Sequence, residues 1–196
     1  MPGELSNVLQ NIINRAAKTP TGSTGEVARM RARFEKAGDA KVVLLDLSGS
    51  MGDLIGSSNM RKIEHAKIAL TDLLQAHPKI TIIGFGSYTK VLTDPQEIPS
   101  TSYGLMGGTD LTAGIEAAAK LKPRRTIIIS DGLPDNRDTA EAAIDGLTGQ
   151  VDCVYCGPDG HPAVAYLQSL ARKGGGTQMT FDGCRELSPM IRGLLA

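Results

Sequence analysis

Val42-Val43-Leu44-Leu45-Asp46-Leu47-Ser48-Gly49-Ser50-Met51 decides how this chain folds. The apolar run is a buried strand, and it stops abruptly in one carboxylate and two hydroxyls spaced two residues apart. Gly49 loosens the backbone so that Asp46, Ser48 and Ser50 can converge. All three offer hard oxygen ligands, which suit Mg²⁺ or Mn²⁺ better than Zn²⁺. Two later stretches extend the set: Gly107-Gly108-Thr109-Asp110, and Ile127-Ile128-Ile129-Ser130-Asp131-Gly132. The last repeats the first design, a buried strand ending in Asp. Together they define a five-residue oxygen site, Asp46, Ser48, Ser50, Thr109 and Asp131, drawn from three loops.

Outward from that stretch the pattern alternates. A strand at 41–47 precedes a helix at about 60–76, with Ile63, Ala66, Leu70, Leu73 and Leu74 inward. Strand 79–85 follows, then an antiparallel edge strand at about 88–92. Helices at 111–121, 137–147 and 161–173 alternate with strands at 125–130, 151–156 and 177–181, and a helix at 185–194 comes last. Strands apolar on both faces, separated by amphipathic helices, imply an α/β fold. It is a doubly wound, mainly parallel six-stranded sheet of order 3-2-1-4-5-6, with helices on both faces. That order makes the first and fourth strands neighbours at the topological switch point, where ligands bind outside the carboxyl ends. Asp46 and Asp131 stand at those two ends and are expected to share one crevice.

Residues 1–38 form a separate helical extension ahead of the 39–196 domain. Leu5, Val8, Leu9, Ile12, Ile13 and Ala16 line one face of a helix at 4–17, and the turn from Thr19 to Ser23 ends it. A second helix at about 25–37 carries Val27, Met30 and Phe34 on one face, with Arg29, Arg31, Arg33 and Lys36 elsewhere. The extension is expected either to pack on the domain as an added layer or to serve docking or oligomerisation.

A DxSxS after the first strand, a Thr in a glycine-containing loop and an Asp after the fourth strand resemble a von Willebrand factor A (vWA) domain with a complete metal-ion-dependent adhesion site. The resemblance covers roughly residues 39–196 and is of the stand-alone intracellular type found in bacteria and their phages. It implies a divalent ion, Mg²⁺ with Mn²⁺ or Ca²⁺ as alternatives. Ser48, Ser50 and Thr109 would be direct or nearly direct ligands, with Asp46 and Asp131 acting largely through water. It further implies a position open to a Glu or Asp side chain of a partner protein, and a Thr109 loop that shifts as the ligand enters. Intracellular members of the family often serve as adaptors, notably with AAA+ ATPases, which makes such an ATPase the expected partner class.

Other arrangements of the same residues are open. Asp46 and Ser48 can cap the segment that follows them, Thr109 can cap the helix starting near Leu111, and Asp131-Gly132 can be a plain turn. Asp53 and Asp110 are expected to be solvated loop acids. Cys153, Cys156, His161 and Cys184 superficially suggest zinc. However, the three-residue offset sends Cys153 and Cys156 to opposite faces of one strand. His65 and His77 are expected to be structural. The cluster Lys120, Lys122, Arg124 and Arg125 follows a helix C-terminus, where the dipole favours cations.

The 196 residues balance 21 Lys and Arg against 21 Asp and Glu, with no Trp, three Phe and four Tyr. Zero net charge and few aromatics point away from nucleic acid and anionic membranes. No run approaches the ~18 apolar residues of a membrane span, the first residues do not resemble a signal peptide, and three cysteines do not make a disulfide framework. These features predict a cytoplasmic, reduced protein. No nucleophile–base pair, GxSxG elbow or P-loop is present; the Gly174-Gly175-Gly176 run is expected to turn the chain into the last strand. The expected function is therefore a non-enzymatic, metal-dependent protein-interaction module. The alternative is a Mg²⁺-dependent hydrolase or phosphoryl-transfer enzyme using the same crevice, for which Arg137 is the nearest arginine after Asp131.

Overall fold

The computed structural model describes residues 24–56, 58–184 and 186–195. The expected helix at 4–17 lies outside them. Strands β1 (Lys41–Asp46), β2 (Ile80–Phe85), β3 (Thr89–Leu92), β4 (Arg125–Ser130), β5 (Gln150–Cys156) and β6 (Gly175–Phe181) form one sheet of order β3-β2-β1-β4-β5-β6. Only β2 and β3 pair antiparallel; the other pairs are parallel. This is the expected doubly wound topology.

Alternation along β1 explains why both sheet faces are apolar. Val43 and Leu45 enter one core with Ile82, Ile127, Ile129, Val154 and Cys156. That core is covered by α2 (Lys62–Ala76) through Ile63, Ala66, Leu70 and Leu73, and by α6 (Leu187–Leu195) through Leu187 and Ile191. Val42 and Leu44 enter the opposite core with Ile83, Phe85, Ile128, Cys153 and Tyr155. There the cover is α3 (Leu111–Ala119), α4 (Arg137–Ala143) and α5 (Pro162–Lys173). Cys153 and Cys156 thus lie in different cores, both buried and free, and burial pushes both thiols far up. His161 uses Nδ1 to accept from the Ala163 N–H at the start of α5 and stacks on Tyr155. Cys184 is exposed. These four residues do not come together as a zinc site.

Several boundaries differ from expectation. The helix foreseen at 137–147 ends at Ala143, and a 3₁₀ turn at Ile144–Gly146 finishes it. Strand β6 begins two residues early, inside the glycine run. A Cβ on Gly176 would land on the Val151 carbonyl and the Asp152 carboxylate. Asp152 is fully buried there and accepts from the Thr177 N–H at 2.8 Å and from Gln150 Nε2. The glycines are therefore needed by close packing beside a register shift.

Helix α1 (Thr24–Lys36) is docked by an arginine at the edge of the expected stripe, one turn after Met30. The Arg33 guanidinium donates to the carbonyls of Ile144, Leu147 and Lys173 at 2.8–3.0 Å. It satisfies carbonyls at the ends of α5 and of the 3₁₀ turn, where a cation is favoured. Met30 faces Gly175.

Candidate metal centre

Strand register brings the site together. Leu45 pairs with Ile129, so the next residues, Asp46 and Ser130, meet at the strand ends. Ser130 donates to Asp46 Oδ2 at 2.6 Å, and the Ser48 N–H donates to Asp46 Oδ1 at 2.7 Å. Ser130 lies within a motif stretch, but the vWA pattern gives it no role. The signal was its parity: one residue before Asp131, at the end of a strand paired with β1.

Ser48 precedes a 3₁₀ turn at Gly49–Gly52, but its side chain makes no capping bond. Its Oγ lies 3.2 Å from Ser50 Oγ, and Ser50 Oγ donates to Asp131 Oδ1 at 2.8 Å. The capping alternative for Ser48 is thereby excluded. Asp46, Ser48, Ser50 and Asp131 form one connected cluster: the first two and Asp131 are buried, and Ser50 is exposed. The cluster opens to solvent on the Ser50 side.

Thr109 is held by backbone bonds. Its N–H donates to Asp135 Oδ2 at 2.9 Å and its carbonyl accepts from the Asp135 N–H. The cap of α3 is Asp110, not Thr109: it accepts from the Ala113 N–H at 3.0 Å, so this half-buried loop acid also has a structural role. The Thr109 loop is tied to the DxSxS loop, because the Met106 N–H donates to the Leu47 carbonyl and Met106 bridges to Ser48. Gly108 has a packing reason as well: a Cβ there would lie 2.8 Å from Asp135 Oδ2. Gly108, Asp110 and Asp135 also line a hollow of about 560 Å³ with Ser87, Thr112, Asn136 and Thr139.

The electrostatics of the cluster are unbalanced. Burial first, and then the nearby Asp131, push the Asp46 acid up to about 6, against the pull of its Ser130 and Ser48 hydrogen bonds. One cation is present that sequence reasoning did not find. Lys62 Nζ lies 2.7 Å from Asp131 Oδ2 and 3.2 Å from the Ser50 carbonyl, with only 12% of its side chain exposed. Asp53 Oδ2 is 3.9 Å from the same ammonium and is 72% exposed. Among the described residues no group of three His, Cys, Asp or Glu is arranged to hold a metal. The donor set is instead hydroxyls plus two carboxylates, all hard oxygens, which fits Mg²⁺ or Mn²⁺. Arg137 opens α4 and is exposed; its carbonyl accepts from the Tyr166 hydroxyl.

A doubly wound sheet of this order places the molecule in a structural class, and solved structures give that fold a name. The chain is similar to the protein BatB from Bacteroides thetaiotaomicron, with 18% identity, 81% of this chain and 97% of that one covered, and a TM-score of 0.59. A von Willebrand factor type A protein from Catenulispora acidiphila matches with 18% identity over 80% of this chain and 42% of that one, at a TM-score of 0.62. The SpRpn10 VWA domain matches with 13% identity over 79% and 94%, at 0.55. The fold is that of vWA domains. No family model and no curated protein matches the chain. Among the described residues no helix is long and apolar enough to cross a membrane.

Proposed function

We propose that the chain is a non-enzymatic, divalent-metal-dependent protein-interaction module that captures a Glu or Asp side chain of its partner. The observation that carries this reading is the convergence of Ser48 Oγ, Ser50 Oγ and Asp131, backed by Asp46, at one strand-end crevice. These residues, with Thr109 from the adjoining loop, would hold the ion. Mg²⁺ supplies, when bound, a hard Lewis-acidic position for a carboxylate oxygen. The chain's own part is to orient the hydroxyls. Asp46 fixes Ser48 through its N–H, and Asp131 fixes Ser50 through its Oγ.

Exposed apolar side chains on the neighbouring loops support a protein partner. Leu54 follows the 3₁₀ turn, Tyr88 sits between β2 and β3, and Tyr103, 93% exposed, lies on the loop leading to Thr109. Tyrosines of this kind commonly anchor interfaces. The partner class that the family resemblance suggests is an AAA+ ATPase, and the setting is cytoplasmic.

Titration calorimetry with Mn²⁺ and Mg²⁺, with and without about 100 mM acetate as the simplest carboxylate probe, tests the reading. Wild type should bind metal more tightly when acetate is present, and Asp46→Ala should lose binding under both conditions. Metal binding indifferent to acetate would count against carboxylate capture.

A further inference from the structure

We infer that Lys62 is a tethered cation that competes with the divalent ion for Asp131, so that the centre binds metal weakly until a partner's carboxylate joins it. The inference rests on the metal-dependent reading above and assigns a new residue to that site. Three observations carry it.

The first is position. Lys62 is the first residue of α2, where the helix dipole disfavours a positive charge. An ordinary surface lysine would turn into solvent. This one is largely buried against Asp131 Oδ2 at 2.7 Å and the Ser50 carbonyl at 3.2 Å. The backbone also pins it, since the Lys62 N–H donates to the Asp53 carbonyl and Leu54 bridges to Arg61. A buried cation at the wrong end of a helix dipole is retained only if its partner charge compensates.

The second is charge. Asp46 and Asp131 bring two negative charges to the crevice and Lys62 returns one; the Asp53 carboxylate, 72% exposed, is screened by solvent and offsets little of it. A divalent ion added to this trio leaves a net single positive charge, which a partner carboxylate neutralises. Without Lys62 the ion and the two carboxylates would already balance, and a third carboxylate would be less welcome. Lys62 therefore lowers affinity for metal alone and raises affinity for metal together with an acid.

The third is an exit. Asp53 Oδ2 stands 3.9 Å from Nζ and is 72% exposed, so the ammonium has a second carboxylate within a small side-chain rotation. Displacement from Asp131 thus leaves the ammonium at the rim of the same crevice beside a solvent-screened carboxylate, where its charge still favours a partner's acid.

The test compares wild type with Lys62→Met, which keeps the apolar stem, and Lys62→Gln, which keeps a donor for Asp131. Both are purified in 10 mM Mg²⁺ and then titrated with Mn²⁺ by calorimetry. The expected result is metal affinity at least tenfold higher in both variants than in wild type. Affinity equal to or below that of wild type would overturn the inference and show Lys62 to be a positioning residue for Asp131, while leaving the metal reading intact. Absence of binding in wild type and both variants would overturn the metal reading, and this inference with it. A second readout uses wild type alone. Amine labelling of Lys62, followed by mass spectrometry, should rise severalfold on adding Mg²⁺ relative to Lys67, and equal labelling with metal and chelator would also overturn the inference.

Discussion

Asp46 carries two burdens at once: it is fully buried, and both its oxygens are bound by donors from Ser48 and Ser130. Its acid is raised from the ordinary value of 3.8 to about 6. A folded-state value above the unfolded one means a stabilising contribution that is whole below about pH 4 and lost as pH rises through 6. In chelator, Asp46→Asn should therefore gain stability relative to wild type as pH rises from 4 to 7.5, by about 1–3 kcal/mol, read from urea denaturation at each pH. The same variant should lose all stabilisation by Mg²⁺. Ser130→Ala leaves a buried carboxylate short of one donor and should cost about 1.5–3 kcal/mol. DxSxS exposed most of this site in the sequence because its spacing is local. Ser130 and Lys62 were harder to find, since each gains meaning only from a residue over 60 positions away. A lysine at the start of a helix, considered alone, belongs to solvent.

Elements were legible where their signal is periodic. The apolar runs in β1, β2, β4 and β5 declare strands buried on both faces, and the adjacency of β1 and β4 follows from the doubly wound order. The start of β6 was not legible, because glycines disfavour strands locally and only the packing of Val151 and Asp152 against them explains their presence. Gly176→Ala should accordingly destabilise by more than about 2 kcal/mol, detectable as a lowered melting temperature. The docking of α1 was also hidden. Its apolar stripe is the visible signal, whereas Arg33, at the edge of that stripe, makes three bonds to carbonyls. Arg33→Met should cost about 1–2 kcal/mol and should speed amide exchange across 24–36 more than in the sheet. Uniform protection in that variant would mean that α1 is held by other contacts.

For the whole molecule, a sheet order with β1 and β4 side by side makes a crevice, and the motif lines that crevice with hydroxyl and carboxylate oxygens. Two acids buried beside one lysine leave a deficit of positive charge that a divalent ion would meet. The direct measurement is thermal unfolding of wild type and Asp46→Ala in Mg²⁺, in Mn²⁺ and in chelator. Metal at ten times its dissociation constant should stabilise wild type by about 1.4 kcal/mol, roughly 3–5 °C for a domain of this size, and should leave Asp46→Ala unmoved. Melting curves of wild type that coincide in chelator and in 10 mM metal would contradict the account.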